Sequence, residues 1–251
     1  MRSRVAVTES RLPLEPSLDQ PDTKRRYVRR LFGTIADRYD LITVLLSFGN
    51  DRRWKRRLAS LVNVRPGERV LDLACGTGDL AFASAQRGAR VTGLDITMRM
   101  VELARLRPET RSAHVAWIVG DMHALPVRSS SCDVVTTGYG LRNVPDLPAA
   151  IAEIVRVLAP GGRVGSLDFD RPESAWVRAI YLGYLTMIGA TLGWVLHRDP
   201  DTYRYIPASI RTYPGARGVG RLMEAAGFTD VTHVRVLGGL MAIHVARKPS
   251  G

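Results

Sequence analysis

The residues best suited to chemistry are two glycines and four aspartates placed beside apolar runs. Gly76 and Gly78 lie in VLDLACGTGDLA, residues 70–81, between an apolar run and a helical pattern. Glycines in such a turn let a ligand approach the backbone closely, and the first N–H groups of the following helix are free to bind it. The aspartates lie within or just after successive apolar runs: Asp72, Asp79, Asp95 and Asp121.

Two ligands suit this turn. Its glycine spacing fits a dinucleotide fingerprint, and Asp95, 17 residues after Gly78, could bind a ribose. A pyrophosphate, however, would face several carboxylates and no Arg or Lys of the turn. S-adenosylmethionine instead carries an ammonium, a sulfonium and a ribose diol, and we predict it as the ligand. The predicted contacts are the ammonium with Asp72 or its neighbourhood, the ribose with Asp95, and the adenine with Asp121 and Met122.

In the simpler interpretation these aspartates only cap helices, which suits one or two of them but not four at successive strand ends. From residue 69 onward, short apolar runs alternate with helical patterns, and this predicts a parallel sheet with crossover helices. The last two apolar runs, 230–237 and 240–247, flank Gly238-Gly239 and predict a hairpin. The predicted fold is therefore α/β, a Rossmann-like doubly wound sheet with a C-terminal antiparallel hairpin.

The N-terminal quarter is different. Residues 1–22 contain three prolines and no apolar period, so we predict a mobile tail. Residues 23–62 have helical patterns in two pieces hinged near 47–50, and we predict that they form a cap on a single domain, 23–251. An apolar run, 41–46, is followed by Phe48 and a basic cluster, which consists of Arg52, Arg53, Lys55, Arg56 and Arg57.

An apolar run beside cations predicts peripheral contact with an anionic membrane. The alternative is an amphipathic helix that packs on the sheet and exposes a basic face to solvent. A second apolar segment, residues 179–196, is eighteen residues long and uncharged, as in a transmembrane helix. A span there would separate the last two strands from their sheet. We therefore predict a buried or membrane-touching cap within a helical, substrate-covering insertion at 173–214.

Composition excludes few classes of protein. The formal net charge is +12, but only three of the 36 basic residues are lysines, a skew that genome composition would also produce. The two cysteines, Cys75 and Cys132, are too few for a disulfide scaffold and lack metal-ligand spacing. The N-terminal residues lack the apolar core of a signal peptide. We predict a cytoplasmic protein without a metal site.

Longer motifs carry a family resemblance. Residues 25–248 resemble the ubiquinone/menaquinone biosynthesis C-methyltransferase family, and the glycine turn resembles motif I of class I methyltransferases. The other matching blocks are YDLITVLLSFGNDRRWKR at 39–56, GLRNVPD at 140–146, RVLAPGGRVGSLDF at 156–169, YRYIPASIRTYP at 203–214 and the terminal GGLMAIHVARKP. The chain departs from the family pattern at Ile42-Thr43, Asp51, Gly138 and Asp168, in blocks that mostly face the methyl acceptor.

The resemblance implies an enzyme that uses S-adenosylmethionine to C-methylate a prenylated quinol ring, of the demethylmenaquinol to menaquinol type. It also implies that Thr77, Asp95, Asp121 and Met122 bind the cofactor. The residues implied near the ring are Tyr39, Asp40, Arg142 and Asn143. The full predicted cofactor-binding set is Asp72, Gly76, Thr77, Gly78, Asp95, Ile96, Asp121, Met122 and Gly138.

An aromatic carbon is a poor nucleophile unless an adjacent hydroxyl loses its proton. Arg142 could stabilise the resulting phenolate as a fixed cation, with Asn143 orienting the oxygen. A surface ion pair with Asp146 is the simpler interpretation of Arg142. The candidates for proton relay are Tyr39, Asp40 and Asp168.

Two other functions stay open. One is methylation of a different aromatic or polyketide natural product. The other is RNA methylation, although the chain has no RNA-binding module such as an RRM or KH pattern, and we expect no nucleic-acid partner. The sequence leaves open whether the chain forms a homodimer.

Overall fold

The computed structural model describes residues 20–172, 174–198 and 200–251. Its centre is a seven-stranded sheet in the order β3-β2-β1-β4-β5-β7-β6. Strands β1 to β5 are all parallel to one another, whereas β7 runs antiparallel to both β5 and β6. The strands are β1 Arg69–Leu73, β2 Arg90–Asp95, β3 Val115–Val119, β4 Cys132–Gly138, β5 Leu158–Phe169, β6 Thr229–Val236 and β7 Met241–Arg247.

The predicted doubly wound sheet and C-terminal hairpin are confirmed. Side chains alternate across the sheet, so Val70 packs into the apolar cluster on one face and Leu71 into the cluster on the other. Helices cover both faces, as a parallel sheet requires. Those that follow the first strands are α4 Asp79–Ala85, α5 Met98–Leu106 and α6 Leu147–Val157, and the later ones are α7 Ala175–His197, α8 Tyr205–Thr212 and α9 Gly215–Ala225.

The N-terminal cap consists of three helices: α1 Pro21–Ile35, α2 Tyr39–Leu46 and α3 Asp51–Leu61. The predicted hinge near residues 47–50 is confirmed, but a short 3₁₀ turn, Ala36–Arg38, adds a second break and makes three pieces instead of two. The predicted tail lies outside the described residues up to residue 19. Its predicted end at residue 22 is wrong, because proline at the first helical position starts α1 at Pro21.

Helix α7 lies on the outside of the domain. Tyr181 and Leu185 anchor it in the core, but only 22% of its apolar segment is buried. Of the two predicted alternatives, the buried cap is therefore wrong, and the membrane-touching cap stays a prediction. By length and composition, this is the one helix in the described ranges that could cross a membrane. The chain that follows it returns to the sheet as β6 and β7, beside β5. Because β5, β6 and β7 pack in one sheet, the structure argues against α7 crossing a membrane.

Candidate active site

A cavity of about 700 Å³ opens where β1, β2 and β4 end, and we call it the first cavity. The carboxyl ends of parallel strands are the usual place for a ligand in this architecture. Six of the residues predicted from the sequence to bind the cofactor line this cavity: Gly76, Asp95, Ile96, Asp121, Met122 and Gly138. Helix α1 closes one side with Arg25, Val28 and Phe32.

Asp95 ends β2 and lies in the wall of the first cavity. One carboxylate oxygen accepts a hydrogen bond from the Gly76 N–H at 2.9 Å, and the other accepts from the Thr97 N–H at 2.8 Å. Burial raises the pKa of Asp95 above its ordinary value, although these two hydrogen bonds oppose the shift. The carboxylate therefore ties the glycine turn to the end of β2 and keeps unused lone pairs for a ligand.

The wall of the first cavity is rich in hydrogen-bond acceptors. Asn143 Oδ1 is buried and has no hydrogen-bond partner among the described residues. In that part of the chain, the only Arg or Lys side chain lining the cavity is Arg25, whose Nε lies 3.0 Å from Asp121 Oδ2. A ligand with an ammonium, a sulfonium and hydroxyl donors fits this wall. A pyrophosphate does not fit it, because it needs donors and cations.

Asp72 and Asp79 lie outside the first cavity. Asp72 is fully buried in β1, where Oδ1 accepts from the Thr136 hydroxyl at 2.8 Å and burial raises its pKa to about 7. Asp79 binds Lys55 at 3.2 Å and Arg107 at 2.6 Å. The expectation that all four aspartates line one crevice is therefore wrong for the first cavity. The ammonium contact predicted for Asp72 or its neighbourhood stays a prediction.

Thr77 and Gly78 support the glycine turn from outside the first cavity. The Thr77 hydroxyl donates to Asp40 Oδ1 at 2.6 Å, which links the turn to α2. Gly78 has a φ of 93°, and a Cβ there would lie 2.5 Å from Trp117. Only glycine suits this left-handed position against a ring. The predicted cofactor contacts of these two residues stay predictions.

A second cavity of about 640 Å³ lies between the cap and α8. Its wall is mostly apolar, with Leu31, Ile35, Ile42, Leu46, Ile206 and Met241 among the lining residues. Three aromatic residues, Phe32, Tyr39 and Tyr139, line both cavities. The two cavities therefore share one aromatic wall.

Arg142 lies buried in the wall of the second cavity. Its Nε is 3.3 Å from Asp168 Oδ1, its Nη1 donates to Ser209 Oγ at 2.5 Å, and its guanidinium stacks over Phe169 at 4.8 Å. Nη2 has no hydrogen-bond partner within the described part of the chain. The interpretation of Arg142 as a surface ion pair is wrong, because Asp146 instead caps α6 by accepting from the Ala149 N–H.

Asp168 holds Arg142 in place. It accepts the Arg142 backbone N–H at 3.0 Å as well as Nε, and it lines neither cavity. Burial raises its pKa, while the adjacent Arg142 cation opposes the shift. This position suits a structural partner better than the proton relay predicted for Asp168.

The basic cluster predicted from the sequence divides into two parts. Lys55 is buried beneath the site, with its Nζ 2.6 Å from Asp51 Oδ2, so its assignment to an exposed cluster is wrong. The other four members, Arg52, Arg53, Arg56 and Arg57, are exposed on α3. Asp51 also accepts a hydrogen bond from the Tyr139 hydroxyl at 2.8 Å.

The structure brings together three of the four residues predicted near the methyl acceptor. Tyr39 lines both cavities, Asn143 lines the first and Arg142 lines the second. Asp40 lines neither, because its carboxylate accepts from Thr77 and lies 3.7 Å from Arg107. Burial raises the pKa of Tyr39 to about 12, although the Lys55 cation opposes the shift.

Sequence reasoning missed several residues of the site, among them Arg25, Phe32 and Tyr139. Arg25 and Phe32 lie in α1, where nothing in the local pattern shows which helix face covers the sheet. Tyr139 directly precedes the GLRN block and has a φ of 61°. An aromatic residue between Gly138 and Gly140 was a usable signal, since glycines allow an unusual backbone path.

This strand order, with a cavity at the glycine turn after β1, is the Rossmann-like fold of class I methyltransferases. Two solved structures share the fold. One, from Thermotoga maritima, has a TM-score of 0.61 at 18% identity and covers 87% of this chain and 99% of that chain. The other, from Aquifex aeolicus, has a TM-score of 0.56 at 16% identity, covering 77% and 88%. Both are described as S-adenosylmethionine-dependent methyltransferases.

The chain belongs to the ubiE/COQ5 methyltransferase family, whose pattern it matches over residues 20–248. It is 39% identical over 221 residues to a demethylmenaquinone methyltransferase of Thermus thermophilus, covering 87% of this chain and all of that protein. It is 37% identical to a ubiquinone/menaquinone biosynthesis C-methyltransferase of Rubrivivax gelatinosus, covering 92% and 90%. The predicted family, enzyme class and cofactor are confirmed.

Proposed function

We propose that this enzyme C-methylates the ring of a prenylated quinol, of the demethylmenaquinol to menaquinol type. The observation that carries the proposal is the wall of Phe32, Tyr39 and Tyr139 shared by two cavities. The first cavity suits the cofactor, and the second, being apolar, suits a quinol ring with its tail. Relatives named demethylmenaquinone methyltransferase support this choice of acceptor.

The cofactor would be held mainly by acceptor groups of the first cavity. Asp95 would bind the ribose hydroxyls, and Asp121 and Met122 would flank the adenine. Asn143 Oδ1, which is buried without a partner among the described residues, would accept from a donor of the cofactor. When bound, S-adenosylmethionine supplies the methyl group on an already activated sulfonium. The protein's task is then to align the acceptor carbon and to favour the phenolate.

Arg142 would favour that phenolate. Asp168 and Ser209 hold its guanidinium on one side, and Nη2 keeps a free donor at the wall of the second cavity. A cation that is already oriented stabilises developing negative charge without reorganising. The stacking of Arg142 on Phe169 further fixes the plane of the guanidinium.

Exposed apolar side chains on two neighbouring helices support contact with a membrane. On α7, the side chains of Trp176, Ile180, Met187 and Trp194 are exposed, and at about 100° per residue they fall on one stripe. On α2 and just after it, Leu41, Val44, Leu45 and Phe48 form a second exposed stripe. The stripes meet where Phe48 stacks on Tyr184, with ring centroids 5.5 Å apart.

We call these two stripes and the four exposed arginines of α3 the membrane surface. Apolar side chains would enter the lipid, and Arg52, Arg53, Arg56 and Arg57 would attract anionic head groups. The enzyme would then be a cytoplasmic protein that binds the inner face of the membrane peripherally. The predicted cap, 23–62, and the insertion, 173–214, would cover the acceptor and open towards the lipid.

An acceptor panel tests the proposal. Purified protein is incubated with labelled S-adenosylmethionine and one of four acceptors: a prenylated demethylmenaquinol, the same ring without a tail, an aromatic polyketide, or total RNA. We expect transfer to the prenylated quinol, with a lower KM than for the bare ring, because each shielded methylene contributes about 0.8 kcal/mol. Efficient labelling of the polyketide or RNA, and none of the quinols, would overturn the proposal.

A further inference from the structure

Tyr139 is held in a conformation that a large side chain rarely adopts. Its φ of 61° lies in the left-handed region, where a Cβ crowds the backbone. The surrounding structure keeps it there, because its N–H donates to the Leu167 carbonyl at 2.7 Å and its carbonyl accepts from Asn143 Nδ2 at 2.6 Å. Strained backbone that neighbours over-determine is often found at functional sites.

The consequence of this backbone is the position of the Tyr139 ring. The ring lies in the wall that the two cavities share, and its hydroxyl donates to Asp51 Oδ1 at 2.8 Å. A phenol hydroxyl that donates once can still accept a hydrogen bond. An acceptor hydroxyl in the second cavity could therefore donate to Tyr139, and through it reach a carboxylate that is only 2% exposed.

Asp51 is a buried carboxylate held between the Tyr139 hydroxyl and the Lys55 ammonium. Its other oxygen, Oδ2, lies 2.6 Å from Lys55 Nζ, and Lys55 also binds Asp79 at 3.2 Å. Burial alone would lower the pKa of Lys55, but Asp51 and Asp79 outweigh it and raise this pKa above its ordinary value. Lys55 therefore stays an ammonium that binds a second carboxylate, Asp79, besides Asp51.

We propose that Tyr139 and Asp51 form the proton relay that deprotonates the acceptor hydroxyl. The acceptor O–H bond breaks and its electron pair stays on the oxygen as a phenolate. Its proton passes to the Tyr139 oxygen while the Tyr139 proton passes to Asp51, so Tyr139 is neutral before and after the step. Tyr139 is the catalytic residue, because it touches the acceptor, and Asp51 acts through it.

The relay rests on the proposed function, since it needs an acceptor with an ionisable hydroxyl. Burial and the Asp51 charge raise the pKa of Tyr139 well above its ordinary value, which favours a concerted transfer over a free tyrosinate. The charged and titratable groups that act on the pair are Tyr39 of α2 and Asp168 of β5, next to Tyr139, and Lys55 of α3, next to Asp51. In the surrounding shell, Asp79 of α4 and Asp72 of β1 act on Lys55, and Arg142 acts on Tyr39.

The test compares Tyr139→Phe, Asp51→Asn and the double variant in single turnovers with a short-tailed quinol. Each change keeps the size of the side chain. We expect each single variant to be about 10²-fold slower, the scale of general-base catalysis, and the double variant to be no slower than either. We also expect the rate of each variant to rise about tenfold per pH unit, because the quinol must then ionise unaided.

A second readout does not depend on methyl transfer. The absorbance of bound 1-naphthol, followed against pH with S-adenosylhomocysteine present, should show ionisation at a higher pH in both single variants than in wild type. Matched controls are Tyr213→Phe, whose buried hydroxyl has no partner among the described residues, and Ser60→Ala on exposed α3 surface. Both should behave like wild type in both assays.

Two outcomes would overturn the relay. One is wild-type single-turnover rates in Tyr139→Phe and Asp51→Asn. The other is slow variants in which the effects of the two changes multiply and naphthol ionises as in wild type, since this indicates separate structural defects. Failure of the proposed function is a distinct result, because wild type itself would then not methylate any quinol.

Discussion

Asp95 is the residue whose role can be tested with the least disturbance of the chemistry. It ends β2 in the wall of the first cavity, and the proposed ribose contacts are two charge-assisted hydrogen bonds worth roughly 1.5–3 kcal/mol each. Asp95→Ala should therefore weaken S-adenosylhomocysteine binding by at least about 10²-fold in calorimetry. Glu102→Ala, an exposed change on α5, is the matched control. Unchanged affinity in a folded Asp95→Ala protein would refute the assignment.

Arg142 needs a conservative substitution. Removing its charge would leave Asp168 buried and unpaired, at a cost of roughly 3–5 kcal/mol of stability. Arg142→Lys keeps the charge but loses the planar guanidinium. We therefore expect turnover to fall by about 10²–10³-fold, with nearly unchanged affinity for S-adenosylhomocysteine. Single-turnover rates and calorimetry separate the two quantities. Wild-type turnover in Arg142→Lys would limit the guanidinium to a structural role.

Asp72 should make stability depend on pH. Burial raises its pKa to about 7, above the value of about 4 for an exposed aspartate in the unfolded chain, so the folded state binds the extra proton between these values. This contribution to the free energy of unfolding therefore falls as pH rises through that window, by up to roughly 1.4 kcal/mol per pH unit.

Asp72→Asn removes this dependence. We expect the difference in Tm between Asp72→Asn and wild type to shift in favour of the variant between pH 4.5 and pH 8. Calorimetric scans at both pH values measure it. A difference that is the same at both pH values would mean that Asp72 titrates normally in the folded protein.

At the scale of elements, α2, α3 and α7 are the parts assigned to the membrane surface. The exposed arginines of α3 should each contribute about 1 kcal/mol to binding an anionic surface at low salt. The triple variant Arg52→Gln, Arg53→Gln, Arg56→Gln should therefore sediment less with phosphatidylglycerol vesicles and still turn over a short-tailed soluble quinol. Binding of wild type should weaken at high salt.

The control is a triple variant at the end of the sheet where the parallel strands begin. Arg90, Arg111 and Arg128 lie near the starts of β2, β3 and β4, and all three are exposed. Changing them to Gln removes the same charge without touching the membrane surface. If both triple variants lose vesicle binding equally, net charge alone is responsible. If the α3 variant sediments like wild type, the arginines form only a solvated helix face.

Most individual elements were predictable from local sequence patterns. The apolar runs at 69–74, 90–95 and 132–138 and the helical patterns at 79–86 and 98–106 match β1, β2, β4, α4 and α5 within about two residues. Alternation and helical periodicity are read within a few residues, so such elements are predictable. The extra break at Ala36–Arg38 was missed, since no glycine or proline marks it. Helix α7 was predicted by its length, but composition cannot show how much of an apolar helix is covered.

The pairings in the site were less predictable. Arg142 and Asp168 are 26 residues apart, and Tyr139 and Asp51 are 88 apart, so only the assembled sheet and cap bring them together. Lys55 shows the same limit, because four neighbouring arginines of α3 are exposed while this one cation faces inward to Asp51 and Asp79. Motif spacing identified the first cavity, whereas the aromatic wall between the cavities required tertiary structure.

At the scale of the whole molecule, the central claim is that one methyl group moves from the first cavity to a ring carbon in the second. The most direct measurement uses S-adenosylmethionine with a trideuterated methyl group and a short-tailed demethylmenaquinol, with the product analysed by mass spectrometry and NMR. We predict a single trideuteromethyl group bonded to a ring carbon and loss of that carbon's proton. Label on a quinol oxygen, or an unlabelled quinol in the presence of cofactor-binding enzyme, would contradict the account.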